Sequence, residues 1–297
     1  MKVCAIILPM SIKKYLDRLE DLTGKEILIT GGTSGIGLSI VKQLLYKHAK
    51  VVVLARNLEK AEGVKNKLLT LYPDNPISVI KYDQSEDESV IEASNEIIKN
   101  HSGFYALILN AGIIQSKKNI TYKDGYPLTI KTNFVGVANL LDNLLPRLKG
   151  EHRFIFQGSL VASWKPKKVS TLKTKEIPAL RLYSFSKAGV EALFYHYTTN
   201  ANEDFSFYLV EPGIIITDII REFPAFIRWF ANLVNKPFKR NVDKATLPAL
   251  LALSPQTPRS SYIVPRGLFA IGGYPKIKRF PEKRKRPFLV ELLNQSK

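Results

Sequence analysis

The stretch Thr30-Gly31-Gly32-Thr33-Ser34-Gly35-Ile36-Gly37 constrains the fold more than any other part of this chain. It follows a short apolar run, Glu26 to Thr30 (EILIT). After it, residues 35–48 place Ile36, Ile40, Leu44 and Leu45 on one helical face. A glycine-rich turn between a strand and a helix lets the backbone approach a pyrophosphate closely. The helix N-terminus then offers free N–H groups and a positive dipole end to the phosphates. Glycine is needed because a Cβ would block the approach or the required φ. A tight strand-to-helix turn with no ligand is the plain alternative. The alternating pattern that follows favours a nucleotide cofactor.

Val51 to Ala55 (VVVLA), Ile77 to Tyr82, Tyr105 to Leu109, Arg153 to Gln157 (RFIFQ) and Phe205 to Val210 read as further strands, with Leu268 to Ile271 a candidate seventh. Helical spacing covers 58–72, 86–101, 124–148 and 183–198, and a short polar helix is expected over 11–21. Apolar strands alternating with helices predict an α/β fold with a doubly wound parallel sheet of about seven strands. No mid-chain linker interrupts it, so one domain is expected. Residues 1–24 precede it as an extension, 25–275 form it, and 276–297 read as a basic, partly ordered tail.

The glycine spacing is T-G-x-x-x-G-x-G, with glycines at 31, 35 and 37. The helix after the fifth strand carries Tyr183-Ser184-Phe185-Ser186-Lys187. Positions i and i+4 share a helix face, and a lysine ammonium there would lower a phenol pKa toward neutrality. Ser159 closes the fifth strand, Asn133 stands in Asn133-Phe134-Val135-Gly136, and Asn110-Ala111-Gly112 follows the fourth strand. In this order the motifs resemble the short-chain dehydrogenase/reductase family, over residues 25 to about 275. Members with a long Ser-to-Tyr connection, such as retinol dehydrogenases and steroid reductases, are the nearest in pattern.

The resemblance implies a Rossmann-type fold and a catalytic set of Asn133, Ser159, Tyr183 and Lys187. It implies cofactor contacts from Thr30, Gly31, Thr33, Ser34, Gly35, Ile36 and Gly37, and from Asn110, Ala111 and Gly112. Asp83, Pro212, Gly213, Ile215 and Thr217 complete the cofactor set, with Tyr183 and Lys187 also touching the nicotinamide end. The family's usual Asn before Asn110 is Leu109 here. Taken singly, Ser159 could cap a turn and Asn133 could bond backbone within its helix.

The second strand ends Leu54-Ala55-Arg56-Asn57, with no acid to bind two ribose hydroxyls. Arg56 is placed to pair with a 2′-phosphate, so NADP(H) is favoured over NAD(H). A surface charge on a turn is the other reading of Arg56. The expected activity interconverts a carbonyl and a primary or secondary alcohol on a hydrophobic substrate, with Tyr183 as acid/base. The alternative is a non-catalytic NADP(H)-sensing or scaffold member of the same fold.

Among the 297 residues, Lys and Arg exceed Asp and Glu to give a net charge of +18. The excess is local: +7 in 149–187, +12 in 221–297 and −1 elsewhere. The first segment includes the long connection 160–181, with Lys165, Lys167, Lys168, Lys173 and Lys175. The resemblance places the second at a substrate lid, about 214–245, where Phe226, Ile227, Phe230, Leu233 and Val234 fall on one helical face. A packed helix or solvated surface competes here with an anionic membrane surface or an acidic substrate. Nucleic acid is disfavoured for want of a stacking platform. One cysteine, Cys4, excludes an intrachain disulfide and a Cys-rich metal site, and no metal is expected. No stretch has the length of a membrane span. A cytoplasmic protein is expected, with peripheral membrane attachment as the variant, and a homodimer or homotetramer is implied by the resemblance.

Overall fold

Along the first strand, Leu28 packs into one apolar cluster while Ile27 and Ile29 pack into another. This alternation follows from the two-residue repeat of a strand, and it buries both faces of the sheet. The computed structural model describes residues 10–115, 120–163, 171–173, 177–213, 242–267 and 273–296. After a short helix α1 (Met10–Leu16), the chain alternates β1 (Glu26–Thr30), α2 (Gly35–Tyr46), β2 (Lys50–Ala55), α3 (Leu58–Leu69), β3 (Ile77–Lys81), α4 (Asp87–Asn100) and β4 (Ala106–Leu109). A small hairpin, β5 (Tyr122–Lys123) and β6 (Tyr126–Pro127), leads into α5 (Leu128–Ile130), a π turn (Lys131–Val135) and α6 (Gly136–Leu144). Then come β7 (His152–Gln157), α7 (Ala179–Asn200) and β8 (Phe205–Val210). The described remainder holds α8 (Val242–Ala245), α9 (Leu247–Ala252), β9 (Tyr262–Pro265), β10 (Pro275–Lys278) and α10 (Phe288–Ser296).

The sheet order is β3-β2-β1-β4-β7-β8-β9-β10, parallel except for the β9–β10 pair. The chain therefore works outward from β1 in one direction and, after α4, from β4 in the other. That reversal opens a crevice at the carboxyl ends of β1 and β4. Helices α4, α6 and α7 cover one face, joined by Leu289, Leu292 and Leu293 of α10. Helices α1, α2, α3 and α9 cover the other.

Three expectations change. The sheet has eight strands, and the added one is antiparallel at the edge. The candidate strand over 268–271 lies outside the described residues. The strands at that edge are YIVP and PKIK, whose prolines and lysines disguise them; proline is tolerated at strand ends and edges. The helix expected over 124–148 starts only after the hairpin and is interrupted by the π turn. The C-terminal segment, expected as a basic, partly ordered tail, packs on the fold over its described residues 273–296. It adds β10 to the sheet, buries Arg284 at 6% exposure, and packs α10 on the core.

Helix α7 approaches the π turn closely because residue 189 is glycine. A Cβ there would stand 2.5 Å from the Phe134 ring, whereas one on exposed Gly63 of α3 would meet nothing within 4 Å. Gly189→Ala is expected to cost about 1–3 kcal/mol by overpacking. Gly63→Ala should gain about 0.5–1 kcal/mol through helix propensity. Urea unfolding of the two variants checks the opposite signs.

Candidate active site

The turn after β1 is shaped by two glycines. Gly31 has a φ of +72°, which side chains resist, and a Cβ on Gly37 would collide with the Gly31 carbonyl oxygen. Helix α2 begins at Gly35 with Ser34 extended before it; the Ser34 side chain makes no capping hydrogen bond and the first turn holds no acid. These features leave a backbone cradle and a positive helix end that suit phosphate, so the residues present fit a dinucleotide. Ser34 and Gly35 are exposed on its rim, with Thr33 and Ile36 half-buried beside them.

The turn after β4 is locked to this cradle. Thr30 Oγ1 accepts from the backbone N–H groups of Asn110 (3.0 Å) and Ala111 (2.9 Å). In return, Asn110 Nδ2 donates to the carbonyls of Thr30 (3.0 Å) and Gly31 (3.2 Å). The Asn110 side chain is thus a brace between two turns, leaving Ala111 and exposed Gly112 to border the crevice.

Asn133 is 1% exposed and sits at the centre of the π turn, a local widening frequent at functional sites. Its Oδ1 accepts from Ile113 N at 2.8 Å, while its Nδ2 donates to Ile113 O (2.8 Å) and Ser186 Oγ (3.0 Å). Ser186 Oγ donates to Tyr183 O at 2.9 Å. Asn133 therefore bonds backbone, but of another segment, and ties the β4 loop to the helix of Tyr183 and Lys187. A Cβ on Gly112 would lie 3.3 Å from Asn133 Oδ1 and 3.5 Å from Lys187 Nζ, so the two side chains converge beside it.

Ser159 stands two residues after the end of β7 and hydrogen-bonds the Tyr183 side chain. Tyr183 is buried, which pushes its hydroxyl up to about 12, and the Ser159 hydrogen bond pulls the other way. Burial, and not the neighbouring Lys187, sets the direction of this shift. Lys187 Nζ donates to Gln157 O at 2.9 Å, and burial brings its own pKa down to about 8 against the raising effect of Glu191. Helical spacing alone could not reveal that both groups are buried and that the ammonium has other partners.

Arg56 is exposed and lies 3.9 Å from Asp83 Oδ2, a weak surface pair. Asp83 Oδ1 accepts from Ser85 N (3.0 Å) and Oγ (2.7 Å). Lys81 Nζ donates to Arg56 O at 2.6 Å, which fixes the main chain while the guanidinium stays open to solvent. Pro212 and Gly213, with a φ of +78° at Gly213, follow β8 at the same carboxyl edge. Ile215, Thr217, the apolar lid face and Lys165, Lys167, Lys168 and Lys175 lie outside the described residues. Among the described residues, no helix is long and apolar enough to cross a membrane.

Sequence reasoning missed Gln84, whose Nε2 donates to Thr132 O within the π turn at 2.6 Å. It also missed two fully buried carboxylates, Glu191 and Glu211. The signal for Glu191 was present: a lone acid in the apolar run Ala188-Gly189-Val190-Glu191-Ala192-Leu193, four residues after Lys187.

The short chain dehydrogenase family model matches residues 25–226. The chain belongs to the short-chain dehydrogenase family, a group of NAD(P)-dependent oxidoreductases. An uncharacterized oxidoreductase of Schizosaccharomyces pombe is 29% identical over 222 residues, 70% of this chain and 65% of that protein. An 11-beta-hydroxysteroid dehydrogenase of Pinus massoniana is 26% identical over 204 residues, 68% and 54% of the two chains. The matched stretch thus spans less than two thirds of either relative. Among solved structures, an uncharacterized protein from Mycobacterium paratuberculosis superposes with a TM-score of 0.72 at 21% identity, covering 95% of this chain and 97% of that one. A gluconate 5-dehydrogenase from Burkholderia cenocepacia, in complex with NADP and tartrate, gives 0.63 at 22% identity, with 81% and 91% covered. At such identities these two likenesses speak to the fold alone.

The family's cradle depends here on Thr30. Thr30→Val keeps the shape but strands the Ala111 N–H and leaves the Asn110 N–H with the Ile108 carbonyl as its remaining acceptor. It is expected to lower stability by about 1–3 kcal/mol in chemical denaturation. A loss below about 0.3 kcal/mol would mean that other groups hold the two turns together.

Proposed function

We propose that this protein is an NADP(H)-dependent oxidoreductase that interconverts a carbonyl and an alcohol on a hydrophobic small molecule. The observation carrying this reading is the set at the switch-point crevice: buried Tyr183 hydrogen-bonded to half-buried Ser159, with buried Asn133 and Lys187 converging beside Gly112. When bound, the nicotinamide cofactor supplies or takes the hydride. Tyr183 holds the proton that goes to the carbonyl oxygen. Its upward-shifted hydroxyl is protonated at neutral pH, the state that carbonyl reduction needs. Ser159 donates a hydrogen bond to the same oxygen and fixes its place. The Lys187 ammonium, braced on Gln157 O, is the group for the nicotinamide ribose. Asn133 holds the helix of Tyr183 and Lys187 against the β4 loop.

The cradle at Gly31, Gly35 and Gly37 would hold the pyrophosphate, and Arg56 the 2′-phosphate. A guanidinium suits that dianion, and no acid at the end of β2 competes for the ribose. The hydrophobic substrate class is supported by the apolar lid sequence and by the named activity of the pine relative.

Turnover is measured as NADPH oxidation over a panel of aromatic and alicyclic ketones. Tyr183→Phe should lower kcat by about 10²–10⁴-fold while NADPH still binds. Near-native turnover would overturn Tyr183 as the proton donor. Arg56→Asp should raise KM for NADPH far more than for NADH, and equal effects would remove the 2′-phosphate assignment. If no ketone is turned over yet NADPH binds, the cofactor-sensing alternative is favoured.

A further inference from the structure

The family match ends at residue 226, yet the C-terminal segment reaches under the candidate site. Arg284 ends a short 3-10 turn, Glu282–Arg284, and its guanidinium lies by the rings of Tyr262 (5.2 Å) and Phe280 (5.7 Å). Its Nε donates to Glu191 Oε2 at 3.0 Å, and its Nη2 contacts both Glu191 Oε1 and Glu211 Oε1, the latter at 2.5 Å. Its Nη1 donates to the Tyr262 hydroxyl at 2.7 Å, which donates to Glu211 Oε1 at 2.8 Å. Arg286 Nη1 lies 3.4 Å from Glu191 Oε2. Glu191 and Glu211 are both fully buried.

The placement relates this cluster to the site. Tyr183, Lys187 and Glu191 occupy positions i, i+4 and i+8 of α7, one stripe of the helix. Glu211 immediately precedes Pro212 and Gly213. Arg284 therefore bridges the helix of the candidate lysine and the strand end that leads into the cofactor turn.

We infer that Arg284 is a positioning residue for Lys187: it pairs with Glu191, one turn beyond Lys187 on the same stripe of α7, and with Glu211 at the β8 end, and so governs the charge that the Lys187 ammonium faces from that side. The inference rests on the reading of Lys187 as the active-site lysine. A buried carboxyl group beside a second one favours its neutral form unless a cation compensates. Burial pushes Glu191 up to about 7, and Arg284 is the principal group pulling it down. Glu191 in turn is the charge that raises Lys187 against burial. The groups around Lys187 are Tyr183 and Glu191 on its own helix, the Gln157 carbonyl on β7 and the neutral Asn133 amide. Behind Glu191 stand Glu211 of the β8 end and Arg284 and Arg286 of the C-terminal segment.

The test follows Lys187 itself by NMR, titrating the 13Cε resonance of lysine-labelled protein and assigning the peak by its loss in Lys187→Arg. The wild-type midpoint is expected near 8. Arg284→Met lets Glu191 take up a proton, so the Lys187 midpoint should fall by about one unit. Glu191→Gln should lower it equally, and the double variant no further than either single one. Arg284→Lys, which retains a charge, should stay near wild type. A folded Arg284→Met protein with an unmoved midpoint overturns the inference, as do additive shifts in the double variant. If Arg284→Met does not fold, Glu191→Gln, which leaves Arg284 paired with Glu211, decides by the same criterion. Full turnover in Tyr183→Phe would defeat the acid/base reading, while the Lys187 titration would still decide the coupling to Arg284.

Discussion

The four hydrogen bonds between the Thr30-Gly31 turn and the Asn110-Ala111 turn are the constraint on which the rest of the site depends. They sit where the chain reverses its direction of growth across the sheet. At such a point no helix crosses over the strand ends, so polar backbone is exposed to whatever binds there. Pairing β1 with β4 in register brings Ile29 beside Ile108. Pairing β4 with β7 puts Leu109 beside Phe156, and pairing β7 with β8 puts Gln157 beside Val210. The glycine cradle, the 110–112 turn, Ser159 and Pro212-Gly213 thereby emerge at one carboxyl edge.

Helix packing completes the set. The π turn at 131–135 aims Asn133 at both the β4 loop and Ser186, and Gln84 satisfies the Thr132 carbonyl within it. Gly136 admits the Gln84 backbone, and Gly189 admits the Phe134 ring, so α6 and α7 come close enough for these bonds to form. Burial is then the dominant electrostatic influence on Tyr183 and Lys187. It keeps the proton on Tyr183 and weakens the hold of Lys187 on its own proton. The buried Arg284–Glu191–Glu211 cluster belongs to the same environment. Breaking a buried ion pair by removing one partner commonly costs about 3–5 kcal/mol, far more than an exposed pair such as Arg56 with Asp83.

The charge excess takes a different meaning from this arrangement. Part of what reads as basic tail and basic surface is interior: Lys187 is 5% and Arg284 6% exposed, and each balances buried acceptors or acids. Composition counts a charge wherever it lies, and only packing separates a solvated lysine from one held against a carbonyl.

The alternation of apolar runs and amphipathic helices determined the parallel sheet by itself, because each element carries its own period. The glycines at 31, 35 and 37 marked the cradle for the same local reason: a positive φ or a close backbone approach excludes a Cβ. The order of Asn133, Ser159, Tyr183 and Lys187 was equally legible, since each stands at a definite place relative to a strand or within one helix. Tertiary structure alone decided the rest. It turned Asn110 into a brace, opened a π turn around Asn133, and added an antiparallel edge strand from proline- and lysine-rich sequence. It also carried Arg284 across 93 residues of chain to Glu191. Such contacts join segments with no shared periodicity, so their energy comes from burial and charge compensation that exist only once the sheet and its helices have assembled.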